Sequence, residues 1–273
     1  MIAILMSTYN GERYLAQQLD SILAQTITDW RLTVRDDGST DGTVAVLREY
    51  AKKEPRITLV TDGENIGPCR SFERLLTQCE EAEYYAFADQ DDVWRPDKLA
   101  ICIASMKSAE SRYPDRPIVV HTDLQVVDSH LDEIAPSFWK YSNIRPNLLD
   151  NNIRYLAICN SVTGCAMLFN QRARACSLPF GANAYMHDAW IALRTAETGG
   201  KVVPVPQTPI AYRQHSANSL GAVRYSVLGK SWEQRKEGAG LSYRMSHPAI
   251  YKNKLQFLVW KLIYILHRTV SDR

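Results

Sequence analysis

Two hydrophobic periods alternate along the first third of the chain. Continuous apolar runs, typical of parallel strands buried on both faces, lie at Ile2–Met6, Leu32–Val34, Ile57–Val60 and Tyr84–Ala88. Between them, apolar residues recur every three or four positions, as on one side of a helix, over residues 14–23, 41–50 and 71–78. This alternation predicts βαβ units and therefore an α/β fold, with a Rossmann-like, mostly parallel central sheet flanked by helices.

The second half of the chain has a less regular pattern. Further strands are predicted at Ile118–His121, Ala166–Phe169 and Val202–Val205, and a helix is predicted at His187–Glu197. The segment from about Leu131 to Leu149 has two prolines and few periodic positions, so we expect a long loop or flap there. Prolines after Val205 predict an extended chain as far as Tyr212.

Charge divides the chain into two parts, although its net charge is only +2. Residues 221–273 carry 10 Lys+Arg and 3 Asp+Glu, whereas residues 1–220 carry 22 and 27. We expect the tail to be helical and basic, with interruptions at Gly238–Gly240 and Pro248. Its mixture of lysines with aromatic and aliphatic residues suits an anionic membrane surface, and packing on the main domain or a homodimer contact is the alternative.

Composition excludes several classes of protein. With 45% hydrophobic and 23% charged residues the chain is neither disordered nor fibrous. Its six cysteines form no CxxC pair, which favours reduced thiols, and neither a signal peptide nor an apolar stretch long enough to span a membrane is visible. We therefore expect a cytoplasmic protein, soluble or peripheral at the inner face of the cell membrane, that does not bind nucleic acid.

Polar loops follow the first four predicted strands, at the sheet edge where α/β proteins bind ligands. These loops are Ser7–Gly11, Asp36–Gly42, Asn65–Gly67 and Asp89–Asp92. The carboxylates of Asp89, Asp91 and Asp92 would repel one another unless water or a cation neutralises them, and such groups suit Mg²⁺ or Mn²⁺. A solvated acidic turn is the alternative. Asp37 can accept an N–H from a pyrimidine base, and Arg70 can pair with phosphate or lie on the surface.

Together these motifs resemble family 2 glycosyltransferases. The matching segments are Ser7-Thr8-Tyr9-Asn10, Asp36–Gly42, Asn65-Ile66-Gly67 and Asp89-Gln90-Asp91-Asp92-Val93-Trp94, followed later by His187-Asp188-Ala189-Trp190. The family has the GT-A fold, uses nucleotide-sugars and inverts the anomeric centre. The resemblance covers residues 1–220, which it implies are a nucleotide-sugar-binding and catalytic domain, with residues 221–273 as a basic helical tail.

The resemblance also implies roles on the donor side. It places Thr8, Tyr9, Asn10, Asp37, Asn65, Arg70, Asp89 and Gln90 at the nucleotide or its sugar, with Asp37 on the base. Asp91 is expected on a Mg²⁺ or Mn²⁺ ion, and His215 near the metal or the diphosphate. A lone histidine is often structural, and its place after an extended strand favours the functional interpretation here.

On the acceptor side, the resemblance makes Asp188 the catalytic base. Many relatives carry Glu immediately before this Asp, whereas this chain has His187, whose role stays open. Gly164, Cys165 and Trp190 are expected to shape the acceptor side of the site.

The string from Tyr212 to Gly221 looks most like bacterial rhamnosyltransferases that build surface polysaccharides. The implied reaction moves rhamnose or another hexose from dTDP-rhamnose or a UDP-sugar to a saccharide or lipid-linked saccharide. One alternative is a nucleotidyltransferase, although the loop after the first strand lacks the glycines and basic residues such enzymes use. The other is a non-catalytic sugar- or lipid-binding protein, against which the intact acidic cluster and Asp188 argue.

Overall fold

The structure is a computed structural model that describes residues 1–150, 152–216, 222, 232–246 and 248–270, without the side chains of residues 232–238 and 268–270. The predicted domain boundary after residue 220 lies outside the described residues, as does the Ala217–Gly221 end of the rhamnosyltransferase-like string. The division into two domains therefore stays a prediction.

Strands and helices alternate through the first half of the chain, as the hydrophobic pattern predicts. The strands are β1 (Ile2–Thr8), β2 (Trp30–Asp36), β3 (Ile57–Thr61), β4 (Tyr84–Ala88), β5 (Val93–Trp94), β6 (Ile118–Thr122), β7 (Gln125–Val127), β8 (Glu133–Ala135), β9 (Met167–Asn170), β10 (Lys201–Val205) and β11 (Ile210–Arg213). The helices are α1 (Glu12–Leu23), α2 (Thr43–Lys53), α3 (Gly67–Gln78), α4 (Lys98–Arg112), α5 (Phe138–Tyr141), α6 (Pro146–Leu149), α7 (Ile153–Ile158), α8 (Gln171–Ser177), α9 (His187–Glu197), α10 (Trp232–Ser246) and α11 (Lys254–Val270), and Gly164–Ala166 forms a 3₁₀ turn.

Seven strands form the central sheet, in the order β10-β6-β9-β4-β1-β2-β3. Only β9 runs antiparallel to its neighbours β4 and β6. Successive side chains of a strand point to opposite faces, so in β1 Ile4 and Met6 join one hydrophobic core and Leu5 joins the other. Burial on both faces explains the continuous apolar run, and the predicted mostly parallel α/β sheet is confirmed.

A second sheet has four strands in the order β5-β11-β7-β8. Its strand β8 lies in the segment from Leu131 to Leu149, where a long loop was expected. That expectation is wrong in part, because β8, α5 and α6 lie between Leu131 and Leu149. Each has only three or four residues, too few to show a hydrophobic period. The sequence pattern also missed α4, whose buried face uses Cys102, Met106 and Ala109 and includes the buried Lys98.

The described part of the tail packs on the main domain. Helix α10 is continuous from Trp232 to Ser246, so the interruption predicted at Gly238–Gly240 is wrong, whereas a turn at residues 248–250 separates α10 from α11. The buried Tyr251 donates a hydrogen bond to the carbonyl of Arg154 in α7. Among the described residues, the chain has no helix with the length and hydropathy needed to cross a membrane.

Candidate active site

A cavity of about 410 Å³ opens where β1, β2, β3 and β4 end. The cavity is lined by nine of the residues predicted for the site, namely Thr8, Tyr9, Asp37, Asn65, Asp89, Gln90, Asp91, Gly164 and Asp188. The lining also contains Ser7, Thr163, Met186 and Tyr212, to which the sequence analysis gave no individual role. The described lining contains no lysine or arginine.

The loop after β2 is held by the carboxylate of Asp36. This carboxylate accepts hydrogen bonds from the hydroxyls of Thr8 and Ser39, at 3.0 and 2.6 Å, and from the backbone N–H groups of Gly38 and Ser39. Gly38 has a φ of 83°, in the left-handed region where a side chain is disfavoured. The Asp-Gly-Ser sequence thus builds the turn that brings Asp37 to the cavity.

Asp37 is positioned by Arg35, a residue that the sequence analysis did not single out. The fully buried Arg35 guanidinium donates to Asp37 Oδ1 at 2.5 Å and to Asp62 at 2.7 Å. Asp37 also accepts the N–H groups of Ile66 and Gly67, both at 2.9 Å. The carboxylate predicted to contact the base therefore also fixes the loop after β3, next to Asn65.

A second cross-link joins the loops after β1 and β4. The side-chain amide of Gln90 accepts the N–H of Tyr9 at 2.9 Å and donates to its carbonyl at 3.0 Å. Both residues line the cavity, and the Tyr9 side chain is 50% exposed. Asn10 does not line it, because its side chain turns away and accepts the N–H of Thr40 at 2.8 Å.

The acidic loop brings Asp91 close to His215, the two residues that the resemblance places at or near a metal ion. His215 Nε2 lies 2.8 Å from Asp91 Oδ2, and both side chains are mostly buried. Burial, together with the nearby charges of Asp91 and Asp188, raises the pKa of Asp89 to about 7. The Asp91 carboxylate and the His215 imidazole nitrogen, next to Asp89, form a donor set that suits Mg²⁺ or Mn²⁺.

Arg213 forms hydrogen bonds that hold the acidic loop, a role that the sequence analysis did not predict. Its guanidinium donates to the carbonyl of Asp91 at 2.7 Å and to Gln17 Oε1 at 2.6 Å. The same guanidinium lies 4.5 Å from the ring centroid of Tyr14, and the Tyr14 ring lies 4.8 Å from that of His215. Arg213 is thus in a position to hold both members of the Asp91–His215 pair.

The first and last residues of the acidic loop form a cluster with Cys165. Ligand atoms of Asp89, Asp92 and Cys165 lie within 4.8 Å of one another. Burial raises the pKa of Asp92 and of Cys165 and lowers that of Lys98, so each is shifted toward its neutral form. A neutral thiol is a poor ligand for a hard cation, and Cys165, predicted on the acceptor side, lies outside the cavity lining.

Asp188 lies in the first turn of α9 and faces the cavity. Its two oxygens accept hydrogen bonds from the N–H of Ala189 at 2.5 Å and of Gly164 at 3.0 Å. Burial raises the pKa of Asp188 to about 6, although these hydrogen bonds act in the opposite direction. A carboxylate with this pKa is ionised near neutral pH and is more basic than an exposed aspartate, which suits a general base.

Gly164 is in close contact with the residue before Asp188. A Cβ atom at position 164 would lie 2.5 Å from His187 Nε2, and the His187 ring is held against Phe72 at a centroid distance of 4.1 Å. We therefore expect Gly164→Ala to displace His187 and to disrupt the hydrogen bond from the Gly164 N–H to Asp188. Donor turnover should fall by about tenfold or more, the loss expected from misplacing a catalytic group by a fraction of an ångström.

The control for this variant is Gly240→Ala in α10, because neither glycine has a positive φ and a Cβ at position 240 meets nothing within 4 Å. Turnover and thermal unfolding are measured for both variants. Unchanged turnover in Gly164→Ala would show that the contact between Gly164 and His187 does not position Asp188.

Arg70 and Trp190, like Asn10, Cys165 and His215, lie outside the cavity lining. Arg70 donates to Glu73 at 2.6 Å and to the carbonyl of Gly181 at 3.1 Å, so its guanidinium stabilises a loop rather than facing the other site residues. Trp190 donates its indole N–H to the carbonyl of Ser177 at 2.8 Å and packs beside Gly181. The structure does not bring either residue together with the others.

Comparison with known proteins bears on what this cavity does. Residues 3–173 match the model for glycosyl transferase family 2. The chain is also 37% identical over 274 residues to the dTDP-rhamnosyl transferase RfbG of Shigella flexneri, covering 92% of this chain and 88% of that one. The chain belongs to glycosyltransferase family 2.

The chain spans just under two thirds of the length of some of the relatives that it matches. It is 26% identical over 242 residues to the uncharacterized protein Rv1520 of Mycobacterium tuberculosis, covering 87% of this chain but 65% of that protein. Solved structures share the fold. Staphylococcus aureus TarS 1–349 in complex with UDP-GlcNAc has a TM-score of 0.60 and 17% identity, over 80% of this chain and 59% of that one.

The mannosyltransferase PcManGT of Pyrobaculum calidifontis, in complex with GDP-Man and Mn²⁺, has a TM-score of 0.58 and 20% identity. That match covers 81% of this chain and 58% of that one. At this level of identity both structures establish the fold, which is the GT-A fold expected from the resemblance.

Proposed function

We propose that this family 2 member transfers a hexose, with inversion, from a nucleotide-diphosphate sugar to a hydroxyl of a saccharide or lipid-linked saccharide in bacterial surface polysaccharide synthesis. The observation that carries the proposal is the cavity itself. It places a candidate base, Asp188, in the same space as the acidic loop of Asp89 and Asp91 and the loops expected to hold a nucleotide.

In this proposal Asp188 takes the proton from the acceptor hydroxyl as its oxygen forms a bond to the anomeric carbon. The bond from that carbon to the diphosphate breaks in the same displacement, and attack from the opposite face inverts the anomeric centre. Hydrogen bonds from the N–H groups of Gly164 and Ala189 hold the Asp188 carboxylate in one orientation. Burial raises the pKa of this carboxylate and so makes it a stronger base. Positioning of the two reactants in one cavity supplies a further part of the rate.

The leaving diphosphate needs positive charge, and no lysine or arginine of the described lining provides it. Asp91 and His215 are the residues that would hold a Mg²⁺ or Mn²⁺ ion, with Arg213 keeping the pair in place. Such a cation, when bound, stabilises the negative charge of the departing nucleoside diphosphate. The Mn²⁺ in the PcManGT complex supports this cofactor choice.

We propose dTDP-rhamnose as the leading donor and a UDP-sugar as the alternative, because RfbG is named a dTDP-rhamnosyl transferase and is 37% identical. The test is a thermal-shift panel of dTDP-, UDP- and GDP-sugars with Mn²⁺ or Mg²⁺. One dTDP- or UDP-sugar should raise the Tm, and more with the cation than without it. A panel without any cation-dependent shift would contradict the proposed donor class.

The pH profile of turnover gives a further prediction. Because the pKa of Asp188 is raised to about 6, a base at this position is protonated below that pH, and the rate should fall about tenfold for each further unit of pH. Above pH 6 the ionised base is present and the rate should level off, apart from a contribution of Asp89, whose pKa is raised to about 7.

The profile is measured for the wild type and for Asp188→Asn with the same donor and cation. The residual rate of the variant should lack the inflection near pH 6. An inflection that persists in the variant would assign the titration to another group.

A further inference from the structure

Exposed aliphatic side chains form a stripe along α11, the last described helix. Between 46 and 72% of each of these side chains is exposed, and the set is Leu255, Leu258, Val259, Leu262, Ile265 and Leu266. Their spacing of three and four residues places them on one side of the helix. Elsewhere in the described part of the chain, the large exposed hydrophobic side chains are Tyr9, Leu131 and Ile134. We call the set on α11 the aliphatic stripe.

The opposite side of α11 is anchored to the main domain. Phe257 and Tyr264 are buried, and Trp260 lies under the guanidinium of Arg154 at 4.6 Å. The aromatic residues that the sequence analysis assigned to a membrane contact therefore pack inward in part, as its alternative stated. This packing fixes the aliphatic stripe toward the outside of the molecule.

The charged residues within α11 are all basic. The helix contains no Asp or Glu, and Lys254 and Lys261 are seven residues apart, so they share a row beside the stripe. The exposed Lys252 precedes the helix. Lysine side chains at such an edge can lay their methylene groups on apolar surface while the ammonium group reaches anionic headgroups.

We propose that the aliphatic stripe of α11 lies in the headgroup region of an anionic phospholipid bilayer, with the lysine row contacting lipid phosphates. An apolar stripe bordered by cations is complementary to such a surface. It is less suited to a second copy of the chain, because α11 offers no carboxylate to compensate for the lysines of its partner.

The membrane contact of α11 would serve the proposed function, and this part of the inference rests on that function. Helix α11 packs on α7, and α7 packs on α9, which begins at His187 and carries Asp188. Membrane binding through α11 would therefore keep the candidate base close to a lipid surface. A lipid-linked saccharide would be presented at that surface.

The test is flotation of the full chain with vesicles of phosphatidylcholine mixed with phosphatidylglycerol, and with vesicles of phosphatidylcholine alone. The wild type should float with the anionic vesicles, and less so at high salt, because salt screens the lysines. The variant Leu255→Gln/Leu258→Gln/Leu262→Gln should lose at least tenfold in partitioning. These side chains are exposed, so its Tm should match that of the wild type.

A second variant separates charge from apolar burial. Lys252→Gln/Lys254→Gln/Lys261→Gln should weaken binding to the anionic vesicles by about fivefold for each lysine. Its matched control is Lys52→Gln/Lys53→Gln/Lys107→Gln, which removes the same charge from exposed positions of α2 and α4 and should float like the wild type.

Equal flotation of the wild type and the leucine variant would overturn the proposal. A wild-type dimer in solution that the leucine variant converts to monomer would also overturn it, in favour of contact between two copies. Donor-dependent thermal shifts are recorded for every variant. Loss of flotation with unchanged donor binding supports the membrane contact and leaves the proposed function to its own test.

Discussion

Asp188→Asn should release nucleoside diphosphate from the donor about 10²–10⁴-fold more slowly than the wild type, the usual contribution of a positioned general base. The amide has nearly the same shape but cannot take the proton. One of its atoms is still an oxygen, so it can keep one of the hydrogen bonds from Gly164 and Ala189. Donor affinity should therefore stay within about threefold of the wild-type value, as measured by calorimetry, since the lost step follows binding.

The fold of this variant should persist. In the folded chain the pKa of Asp188 is raised from 3.8 to about 6, so its ionised form is disfavoured by burial and the folded state loses stability as the pH rises through this range. The neutral amide does not have this cost, and the Tm at pH 8 should not fall by more than a few degrees. The matched control is Asp29→Asn, at an exposed position before β2, which should leave turnover unchanged.

Asp91→Asn should have a different effect, on binding. This substitution removes the carboxylate that faces His215, and with it the charge that would hold a divalent cation. Cation-dependent donor affinity should fall by about 10–100-fold or more, because even residues behind a metal ligand have effects of that size. Affinity measured with EDTA present should change little, since that measurement excludes the cation.

Calorimetric titration of the donor, with Mn²⁺ and with EDTA, measures both quantities. The informative contrast is with Asp188→Asn, which should keep the response to Mn²⁺ that Asp91→Asn loses. If Asp91→Asn keeps the full effect of Mn²⁺ on donor affinity, the cation is held by other residues and the assignment to Asp91 and His215 is wrong.

The sequence predicts the central part of this fold well, because burial on both faces leaves a strong signal. β4 begins and ends at the predicted residues, Tyr84 and Ala88, and the acidic loop follows it directly. The short elements of the second sheet were missed because their few residues carry no period. The family assignment rests on motifs at the ends of such strands, and it is confirmed by the family match.

The supporting residues of the site could not be predicted in the same way. Arg35 and Arg213 are buried and hold Asp37 and Asp91, whereas Arg70, which follows a motif, bonds to Glu73 and loop carbonyls. In the sequence all three are isolated arginines, and only the packing of distant strands decides which is buried. The period of two in β2 and the charged residue at the end of β11 are only weak sequence signals of which arginine is buried.

Neighbours in sequence can also lie on different sides of a site. Gly164 and Cys165 were expected together on the acceptor side, but only Gly164 lines the cavity, and Cys165 is fully buried beneath it. The 3₁₀ turn over Gly164–Ala166 separates them. In the tail, similarly, composition predicted a basic helical segment, and the structure shows which side of α11 is anchored and which is exposed.

The most direct test of the central claim is detection of the products from a nucleotide-sugar that binds, with Mn²⁺ or Mg²⁺ and a hydroxyl acceptor present. We predict that the wild type releases nucleoside diphosphate and forms a glycoside with inverted anomeric configuration, and that Asp188→Asn forms neither at a comparable rate. Release of pyrophosphate from a nucleoside triphosphate and a sugar phosphate would contradict the proposal. So would the absence of any product from a donor that the chain binds.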